Sequence, residues 1–558
     1  MTSSQNDLIT PVKKLTKAQQ TAVLERQLWA VADLFRGQMN PDDYQKYMLS
    51  TIFYKYLSES LENALMELYS DYKTYEDVWE NEENIEEDIV EEFGYVIQPE
   101  FLYRNIVKEI HKGTAGKWSV DYLQTAFNKL QGSPKEEKAV EAFANLFDDM
   151  ELHSNKLGLD IQSRNNKMAE AILEIAKIDF HLKDSTIDVL GDAYEYLIGN
   201  FAASAGKKGG EFYTPQQVSS LVSQILAYEN PLMKSVYDPT CGSGSLLLQI
   251  LHNAKKSNNH IKVFGQELNT TTFNLARMNM IMHGQKWDNF NIRNNNTLTH
   301  DEFTNEYFDA IGANPPYSAK WKHTSELETD PRFVQSGRLA PKDKADFAFV
   351  QHCWHHLNDE GIAAIVLPHG VLFRGGAEGA IRQWLLKENA IHAVIGLPEK
   401  LFFGTGIPTV VLVLKKGRKE DDGVLFVDAS QNFTKGKNQN YLEDSHLENI
   451  MSAYKERKDV EKFAHLADSD EIEKNDHNLN ITRYVDTSED EIIIDLVEVA
   501  KEIADTEAKI ASLTAEIDDM VSQLVEVDEI PVTRRSEASE GVEGEADSNE
   551  QKDETTLF

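Results

Sequence analysis

The residues with the clearest chemical potential are Asn314, Pro315, Pro316 and Tyr317, which directly follow an apolar run. The amide oxygen of Asn314 and the carbonyl of Pro315 can accept both N–H groups of one amine, while the prolines stiffen the loop. The exocyclic N6 of adenine is a poor nucleophile because its lone pair is delocalised, so such a clamp would point that lone pair at a methyl donor. Tyr317 offers an aromatic face for an extruded base. The alternative for this motif is a plain turn.

A glycine-rich turn further upstream could hold a cofactor. It comprises Asp238, Gly242, Ser243, Gly244 and Ser245 and stands between a strand-like and a helix-like run. Backbone N–H groups and a helix N-terminus can approach a ligand closely in such a turn. Glu267 ends the next strand candidate, 23 residues after Gly244, which is the spacing at which an acidic residue of a Rossmann-like fold reaches ribose hydroxyls. Together these features predict a nucleotide-type cofactor.

Alternating strands and helices must position these two motifs. Runs typical of strands lie at residues 235–238, 261–266, 307–313, 361–367, 391–396 and 409–415, and stretches typical of helices lie at 245–257, 271–283, 345–358 and 379–389. This alternation predicts an α/β fold with a mostly parallel sheet. The loop between the last two strand candidates is too short for a crossover helix, so we expect them to pair antiparallel at one end of the sheet.

The regions on either side of this α/β pattern are helical in character. Residues 20–180 show apolar residues at helical spacing and little glycine. Residues 496–524 show apolar residues at alternating spacings of three and four, interrupted at Thr506, which is typical of a heptad repeat. After Pro531 the chain is polar and acidic, and we expect disorder there. The predicted division is a helical domain (1–180), a catalytic domain (181–487), a helical tail for subunit assembly (488–530) and a disordered acidic tail (531–558).

The composition limits how the chain could meet nucleic acid. Its 93 acidic and 56 basic residues give a formal net charge of −37. A protein that grips nucleic acid by itself usually has a basic excess, so either DNA is not the substrate or a partner supplies the grip. The two cysteines, Cys241 and Cys353, lie far apart, and no signal peptide or long apolar stretch is evident. These features predict a soluble, cytoplasmic protein without disulfides.

Several stretches of sequence occur in a characteristic order along the chain. They are residues 210–215 (Gly-Glu-Phe-Tyr-Thr-Pro), 238–245, 265–269 and 314–317, with further support from 191–197 and 368–376. In their order and residue identities, these stretches resemble those of the modification subunits of type I restriction-modification enzymes. The resemblance covers the chain from the N-terminal helices to about residue 480. It implies a Rossmann-like, S-adenosylmethionine-dependent methyltransferase sheet that methylates N6 of adenine in double-stranded DNA, with a helical domain before it and a coiled-coil-like tail after it.

The resemblance also implies particular site residues. The implied catalytic residues are Asn314, Pro315, Pro316 and Tyr317. The implied S-adenosylmethionine site comprises Glu211, Phe212, Tyr213, Thr214, Pro215, Gln216, Asp238, Gly242, Ser243, Gly244, Ser245 and Glu267. Asn296 stands where related proteins often carry an Asp that would contact the adenine of the cofactor. Its role stays open.

No target-recognition domain is visible between the catalytic motif and the helical tail. The resemblance implies that a separate specificity subunit reads the DNA sequence and joins two copies of this chain, and that a restriction subunit can add to this core. A DNA-binding partner would account for the acidic balance. No membrane contact is expected.

Two alternative functions remain open from the sequence alone. Protein glutamine methyltransferases also use Asn-Pro-Pro-Tyr to hold an amide nitrogen, although they tend to be shorter and to lack the 211–215 stretch and the heptad tail. The second alternative is a catalytically idle scaffold subunit. We expect no metal site at His352, His355 and His356, because a helix buries such residues easily and methyl transfer needs no metal. We expect Cys241 to pack rather than to act as a nucleophile.

The connection after the catalytic motif, residues 318–344, is locally basic, with six basic against four acidic residues. Because it follows the motif directly, we expect it to lie over the DNA backbone near the target base. The side chains expected to contact phosphates are Lys320, Lys322, Arg332 and Arg338.

Overall fold

The computed structural model describes residues 17–35, 39–180, 182, 189–205, 214–254, 260–402, 406–419, 422–437, 439–487 and 496–524. By its internal contacts the chain divides into two units, Met1–Thr487 and Ser488–Phe558. Among the described helices, none combines the length and the apolar character needed to cross a membrane. The acidic tail expected at 531–558 lies outside the described residues.

Helices make up the chain before the first strand. They are α1 (Lys17–Asp33), α2 (Pro41–Leu68), α3 (Tyr75–Asn81), α4 (Ile85–Phe93), α5 (Tyr103–His111), α6 (Val120–Gln131), α7 (Glu137–Phe143), α8 (Ile161–Ala176), α9 (Val189–Ala205) and α10 (Gln216–Glu229). Helices α3, α6 and α8 are capped at their N-termini. The side chains of Thr74, Ser119 and Asp160, respectively, accept a backbone N–H group of the first turn. Apolar residues at helical spacing, including Leu24 and Leu28, are buried between the helices.

A nine-stranded sheet forms the second half of the first unit. Its strands are β1 (Ser235–Asp238), β2 (Lys262–Glu267), β3 (Phe290–Asn294), β4 (Phe308–Ala313), β5 (Leu357–Pro368), β6 (Ile391–Gly396), β7 (Thr409–Lys415), β8 (Val424–Asp428) and β11 (Ala464–Ala467), in the order β11-β8-β6-β7-β5-β4-β1-β2-β3. A separate hairpin pairs β9 (Thr434–Lys435) with β10 (Asn440–Tyr441). The remaining helices of the unit are α11 (Ser245–Ala254), α12 (Thr270–Met282), α13 (Pro331–Val334), α14 (Asp346–His355), α15 (Gly376–Lys387), α16 (Asp444–Glu456) and α17 (Ser469–Lys474).

The strands read as continuous apolar runs because both faces of the sheet are buried. Successive side chains of a strand point to opposite faces. Val236 and Ala310 belong to the core that continues into the N-terminal helices, whereas their neighbours Tyr237 and Ile311 belong to the core on the other face. A sheet covered on both sides by helices is typical of parallel α/β folds. The predicted α/β fold is therefore confirmed.

The edge of the sheet differs from the expectation in one respect. Strands β6 and β7 do pair antiparallel, as predicted. They do not lie at one end of the sheet, because β7 inserts between β5 and β6 and pairs antiparallel with both. Strand β8 then continues parallel to β6, and β11 closes that edge. The sequence analysis missed β3, β8 and β11, which are all five residues long or shorter.

A buried arginine joins the N-terminal helices to the sheet region. Arg277 on α12 is only 2% exposed, and its guanidinium donates to the carbonyl oxygens of Glu141 and Ala144 at 2.8 and 2.9 Å. These carbonyls lie at the end of α7, where a helix has no backbone donors of its own for them. A cation at a helix C-terminus is also favoured by the helix dipole. Arg277 therefore fixes the position of α7 against α12.

We expect Arg277→Met to destabilise the first unit by at least about 1–3 kcal/mol, the cost of leaving a buried acceptor without its donor. The matched control is Arg293→Met, which removes a half-exposed guanidinium that pairs with Glu141 at 2.7 Å and should cost no more than about 1 kcal/mol. Urea unfolding followed by tryptophan fluorescence measures both. Equal losses for the two variants would contradict this account of Arg277.

Candidate active site

Three predicted motifs meet at one edge of the sheet. Strand β1 pairs parallel with β4 on one side and with β2 on the other, with Val236 opposite Ala310 and Asp238 opposite Gly265. The carboxyl ends of parallel neighbours lie at the same edge, which is where open α/β sheets bind ligands. The turn after β1, Glu267 at the end of β2 and Asn314 after β4 are thereby brought together.

The turn after β1 depends on two glycines. Gly242 and Gly244 have φ angles of +55° and +79°, in the left-handed region that favours glycine. A Cβ at Gly244 would also stand 2.9 Å from the Cε of Met280. The carbonyl of Ser243 accepts a hydrogen bond from the Asn279 side chain at 3.0 Å, and the hydroxyls of Ser243 and Ser245 are 2.9 Å apart. The turn is thus fixed by packing and by hydrogen bonds.

Two carboxyl groups flank this turn. Glu267 accepts the N–H groups of Gly242 and Asn269 at 3.0 and 2.8 Å, and burial raises its pKa above the ordinary value. Asp238 accepts the N–H of Thr240 at 2.9 Å. Burial, together with the nearby charge of Glu267, raises the pKa of Asp238 to about 7, although the hydrogen bond from Thr240 lowers it. Glu267 is held in one orientation at the end of β2, which suits a carboxylate that binds hydroxyl groups.

Cys241 lies on the inner side of the turn. Its Sγ would be 3.0 Å from a Cβ built on Gly265, so the absence of a side chain at Gly265 leaves room for the sulfur. Burial raises the pKa of the Cys241 thiol well above its ordinary value, which keeps it protonated and weakly nucleophilic. These contacts support a packing role.

The 314–317 motif forms its own hydrogen-bond chain. The Asn314 amide nitrogen donates to the Thr214 hydroxyl at 3.1 Å, and the Tyr317 hydroxyl donates to the Asn314 amide oxygen at 2.8 Å. The Tyr317 ring meets Phe402 edge to face, with 5.8 Å between ring centroids. Burial and the charge of Asp346 raise the pKa of Tyr317 well above its ordinary value. The Asn314 oxygen, which we predicted to accept a hydrogen bond from a substrate amine, thus accepts one from the Tyr317 hydroxyl.

A cleft of about 910 Å³ opens beside these residues. Its wall includes Thr240, Glu267, Asn296 and Pro316, together with Lys46 from α2 of the N-terminal helices. The Asn296 amide oxygen accepts the N–H groups of Leu298 and Thr299, which leaves its amide nitrogen as a donor. The glycines of the turn, Thr214 and Asn314 are not on this wall. The cleft is large enough for a nucleoside-sized ligand.

The remaining members of the predicted cofactor site are placed as follows. Thr214 and Pro215 are buried, and Gln216 opens α10 with an exposed side chain. Glu211, Phe212 and Tyr213 lie outside the described residues. The hydrogen bond from Asn314 links Thr214 to the 314–317 motif. The sequence analysis did not predict this contact.

His352 on α14 and His356 directly after that helix belong to a buried polar network. Ligand atoms of Asp301, His352 and His356 lie within 4.8 Å of one another. His356 bonds Asp301 and the Glu306 carbonyl at 2.9 and 2.8 Å, and His352 bonds the Tyr237 hydroxyl at 3.0 Å. The second nitrogen of His352 accepts from Arg332 at 3.2 Å. Each ring nitrogen of the two histidines therefore has a hydrogen-bond partner within the protein.

The position of Arg332 corrects one expectation. Arg332 is 6% exposed and donates to the carbonyls of Thr297 and Leu298 at 2.7 and 3.2 Å, besides pairing with Asp330 at 2.6 Å. It therefore holds the 318–344 connection against the turn after β3 and is not available to DNA phosphates. Lys320, Lys322 and Arg338 are exposed, and for them phosphate contact stays a prediction.

The sequence analysis missed several residues at this edge of the sheet. Phe402 contacts Tyr317, and Asn279 supports the glycine turn. A signal for Phe402 existed in the pair of aromatic residues between the last two predicted strands. Asn279 gave no signal, because an asparagine within a helix is ordinarily a surface residue.

An open, mostly parallel sheet with a glycine turn after β1 and an acidic residue ending β2 is the architecture of Rossmann-like folds, which bind nucleotide-type cofactors. Residues 185–492 match the N-6 DNA Methylase family, and residues 24–175 match the HsdM N-terminal domain. A type I restriction enzyme methylase subunit, MpnII of Mycoplasma pneumoniae, is 34% identical over 92% of this chain and 99% of its own length. The MjaVIII methylase subunit of Methanocaldococcus jannaschii is 31% identical over 85% of this chain and 79% of its own length.

A solved structure gives the same answer. The type I restriction-modification methyltransferase subunit from Streptococcus thermophilus has a TM-score of 0.78 and 45% identity, covering 84% of this chain and all of that one. The chain belongs to the N6-adenine DNA methyltransferases that are methylase subunits of type I restriction enzymes. This membership decides against the alternative of protein glutamine methylation.

The raised pKa of Asp238 predicts a pH dependence of stability. A carboxyl group whose pKa is higher in the folded than in the unfolded chain contributes stability that is full below the unfolded value of about 4 and is lost as the pH rises through about 7. Each pKa unit corresponds to about 1.4 kcal/mol. Relative to Asp238→Asn, the wild-type melting temperature should therefore fall between pH 5 and pH 8. Identical pH profiles for the two proteins would contradict the prediction.

Proposed function

We propose that this chain transfers a methyl group from S-adenosylmethionine to N6 of an adenine rotated out of double-stranded DNA, in the cytoplasm, with the target chosen by a separate specificity subunit. The observation that carries the proposal is the position of Asn314. Its amide lies at the carboxyl end of β4, one strand away from the glycine turn and two from Glu267. For an N6-adenine methyltransferase, this position supports a role for Asn314 as an amine acceptor beside a nucleotide-type site.

The residues around the cleft fit S-adenosylmethionine. Glu267 presents a fixed carboxylate for the ribose hydroxyls, and Asn296 offers an amide nitrogen for a base edge. Leu268 and Pro316 supply apolar surface on the same wall. When bound, this cofactor supplies an electrophilic methyl group.

The chain itself contributes positioning. Asn314 and the carbonyl of Pro315 accept the two N–H groups of the adenine amine, which orients the lone pair of N6. An amide oxygen cannot take a full proton, so Asn314 orients and polarises while solvent receives the proton in a later step. Thr214, by accepting from the Asn314 nitrogen at 3.1 Å, keeps the amide oxygen directed away from itself. Positioning of this kind supplies most of the reduction in the barrier.

Replacing Asn314 tests the mechanism directly. Asn314→Ala removes one of two acceptors but touches neither the glycine turn nor Glu267, so cofactor affinity should survive while turnover falls by about 100- to 1000-fold. The assay is tritiated methyl transfer to unmethylated target DNA by the assembled complex, with calorimetry of cofactor binding alongside. Near-normal turnover would refute the mechanism. Loss of cofactor binding would mean that Asn314 belongs to the cofactor site instead.

Variants of Tyr317 separate its ring from its hydroxyl in the same assay. Tyr317→Ala should weaken capture of the flipped base by roughly 1–3 kcal/mol of lost stacking. Tyr317→Phe keeps the ring and should stay active, since the lost hydroxyl bonds the acceptor that the adenine amine needs. If the unaltered complex itself transferred no methyl group, the alternative of an idle scaffold subunit would be favoured.

The second unit supplies a surface for assembly. Its described part is a single helix, α18 (Leu496–Leu524), of 29 residues. Apolar side chains along the heptad repeat are more than half exposed, namely Ile503, Ile510, Leu513, Ile517 and Met520. An isolated helix of this kind is marginal in water, and a heptad repeat is the pattern of a helix that packs on another. We assign residues 488–530 to subunit assembly. The other proposed domains are a helical domain at 1–180 and a catalytic domain at 181–487.

In the proposed complex this helix packs on a specificity subunit that joins two copies of the chain, and a restriction subunit adds to the core. Removal of residues 488–558 should abolish co-purification with the specificity subunit and leave cofactor binding intact. A finer test replaces the apolar repeat by Ile503→Gln, Ile510→Gln and Ile517→Gln. Its control makes three changes at the same spacing on the other side of the helix, Asp505→Gln, Ser512→Gln and Asp519→Gln. Loss of assembly by both triple variants, or by neither, would contradict the proposal.

A further inference from the structure

The stretch at residues 368–376 has no part in the mechanism above, yet one of its side chains reaches toward the catalytic loop. It follows β5 and contains a short 3-10 helix, His369–Leu372. The Nη2 of Arg374 donates to Asp346 at 2.8 Å and to Glu378 at 2.9 Å, and its Nε donates to the other oxygen of Glu378 at 2.7 Å. Asp346 and Glu378 are 1% and 3% exposed. A planar guanidinium holding two buried carboxylates is a rigid arrangement.

Asp346 in turn holds the residue that follows the catalytic motif. Its Oδ1 accepts the backbone N–H of Ser318 at 2.7 Å, and its Oδ2 lies 3.4 Å from the Ser318 hydroxyl. The next residue is fastened too, since the Ala319 carbonyl accepts the N–H of Ala345 at 2.9 Å. Asp346 begins α14, where the helix dipole favours a carboxylate.

The backbone of Ser318 shows why this support is needed. Its φ angle is +51°, in the left-handed region that residues with a side chain rarely adopt. Such a conformation persists where the surrounding structure holds it. Because Ser318 directly follows Tyr317, the course of its backbone determines where the Tyr317 end of the catalytic loop lies.

Gly370 completes the arrangement. A Cβ at this position would stand 2.6 Å from the Nη1 of Arg374, so the guanidinium packs directly over the Gly370 backbone. Together, Gly370 and Arg374 give the 368–376 stretch a physical role, which is to carry the side chain that fixes Asp346.

We propose that Asp346 and Arg374 are positioning residues for methyl transfer, which hold the catalytic loop through the backbone of Ser318. The proposal rests on the catalytic role proposed for residues 314–317. Neither side chain touches the reacting atoms in this account. Their effect is on the rate of the chemical step and not on the binding of cofactor or DNA.

The test is single-turnover methyl transfer by the assembled complex with saturating S-adenosylmethionine and target DNA. Asp346→Asn and Arg374→Gln should each lower the rate by roughly 10- to 100-fold, the scale of a misplacement of about 1 Å, with affinities for cofactor and DNA unchanged. The matched control is Glu76→Gln, which breaks an ion pair with Arg104 of 2.6 Å in the N-terminal helices. It should leave the rate unchanged.

Two further variants distinguish positioning from simple stabilisation. In Asp346→Asn/Arg374→Gln the effects should not multiply, because both changes break one link. Gly370→Ala keeps every charge and displaces only the guanidinium, so it should slow methyl transfer while the melting temperature stays near that of the wild type. Multiplying effects in the double variant, or an unchanged rate in Gly370→Ala, would overturn the proposal.

The Asn314→Ala enzyme separates this inference from the proposed function. If Asn314→Ala is inactive while Asp346→Asn and Arg374→Gln transfer methyl groups at the wild-type rate, the positioning role is refuted and the catalytic role stands. If Asn314→Ala is itself active, the catalytic role fails and the inference fails with it. A fall in cofactor or DNA affinity that accounts for the lost activity would also refute positioning.

Discussion

The parallel pairing of β1 with β4 and with β2 is the constraint on which the site depends. Each of these strands ends at a residue of the candidate site, and only a common strand direction brings those ends to one edge. Because successive side chains alternate between faces, a slip of one residue would exchange the two buried cores. The tight fit of Ile292 and Cys241 around Gly265 and the hydrogen bond from Gly242 to Glu267 keep β2 and the turn after β1 in this register.

Buried arginines hold the irregular segments around that edge. Arg277 bonds the end of α7, and Arg332 bonds the carbonyls of Thr297 and Leu298. Removing a guanidinium from water is costly, and several hydrogen bonds to carbonyls or carboxylates must offset that cost. These side chains are therefore not available to bind DNA phosphates. In a chain with a net charge of −37, this supports the proposal that a partner subunit makes most of the contacts with DNA.

The sequence predicted those parts of the fold that local patterns encode. Continuous apolar runs marked the central strands, and the glycines of residues 242–244 and Glu267 marked the turn after β1 and the end of β2, which the structure places at one edge of the sheet. The insertion of β7 between β5 and β6 was missed because strand order depends on packing between distant segments. Arg332 was misassigned because sequence cannot distinguish a buried guanidinium from an exposed one. The role of Arg374 was equally hidden, since it arises only when residues 318, 346 and 374 meet in space.

The hydrogen bond between Tyr317 and Asn314 satisfies the Asn314 oxygen while no substrate is bound. An acceptor for a poorly nucleophilic amine must be held away from water to be effective, yet a desolvated acceptor without a donor destabilises the fold. Here the Tyr317 hydroxyl satisfies the Asn314 oxygen at 2.8 Å. In the proposed mechanism the adenine amine replaces that hydroxyl, so one hydrogen bond is exchanged for another and little is lost on binding. In that mechanism the same tyrosine orients the acceptor before binding and presents its ring to the incoming base.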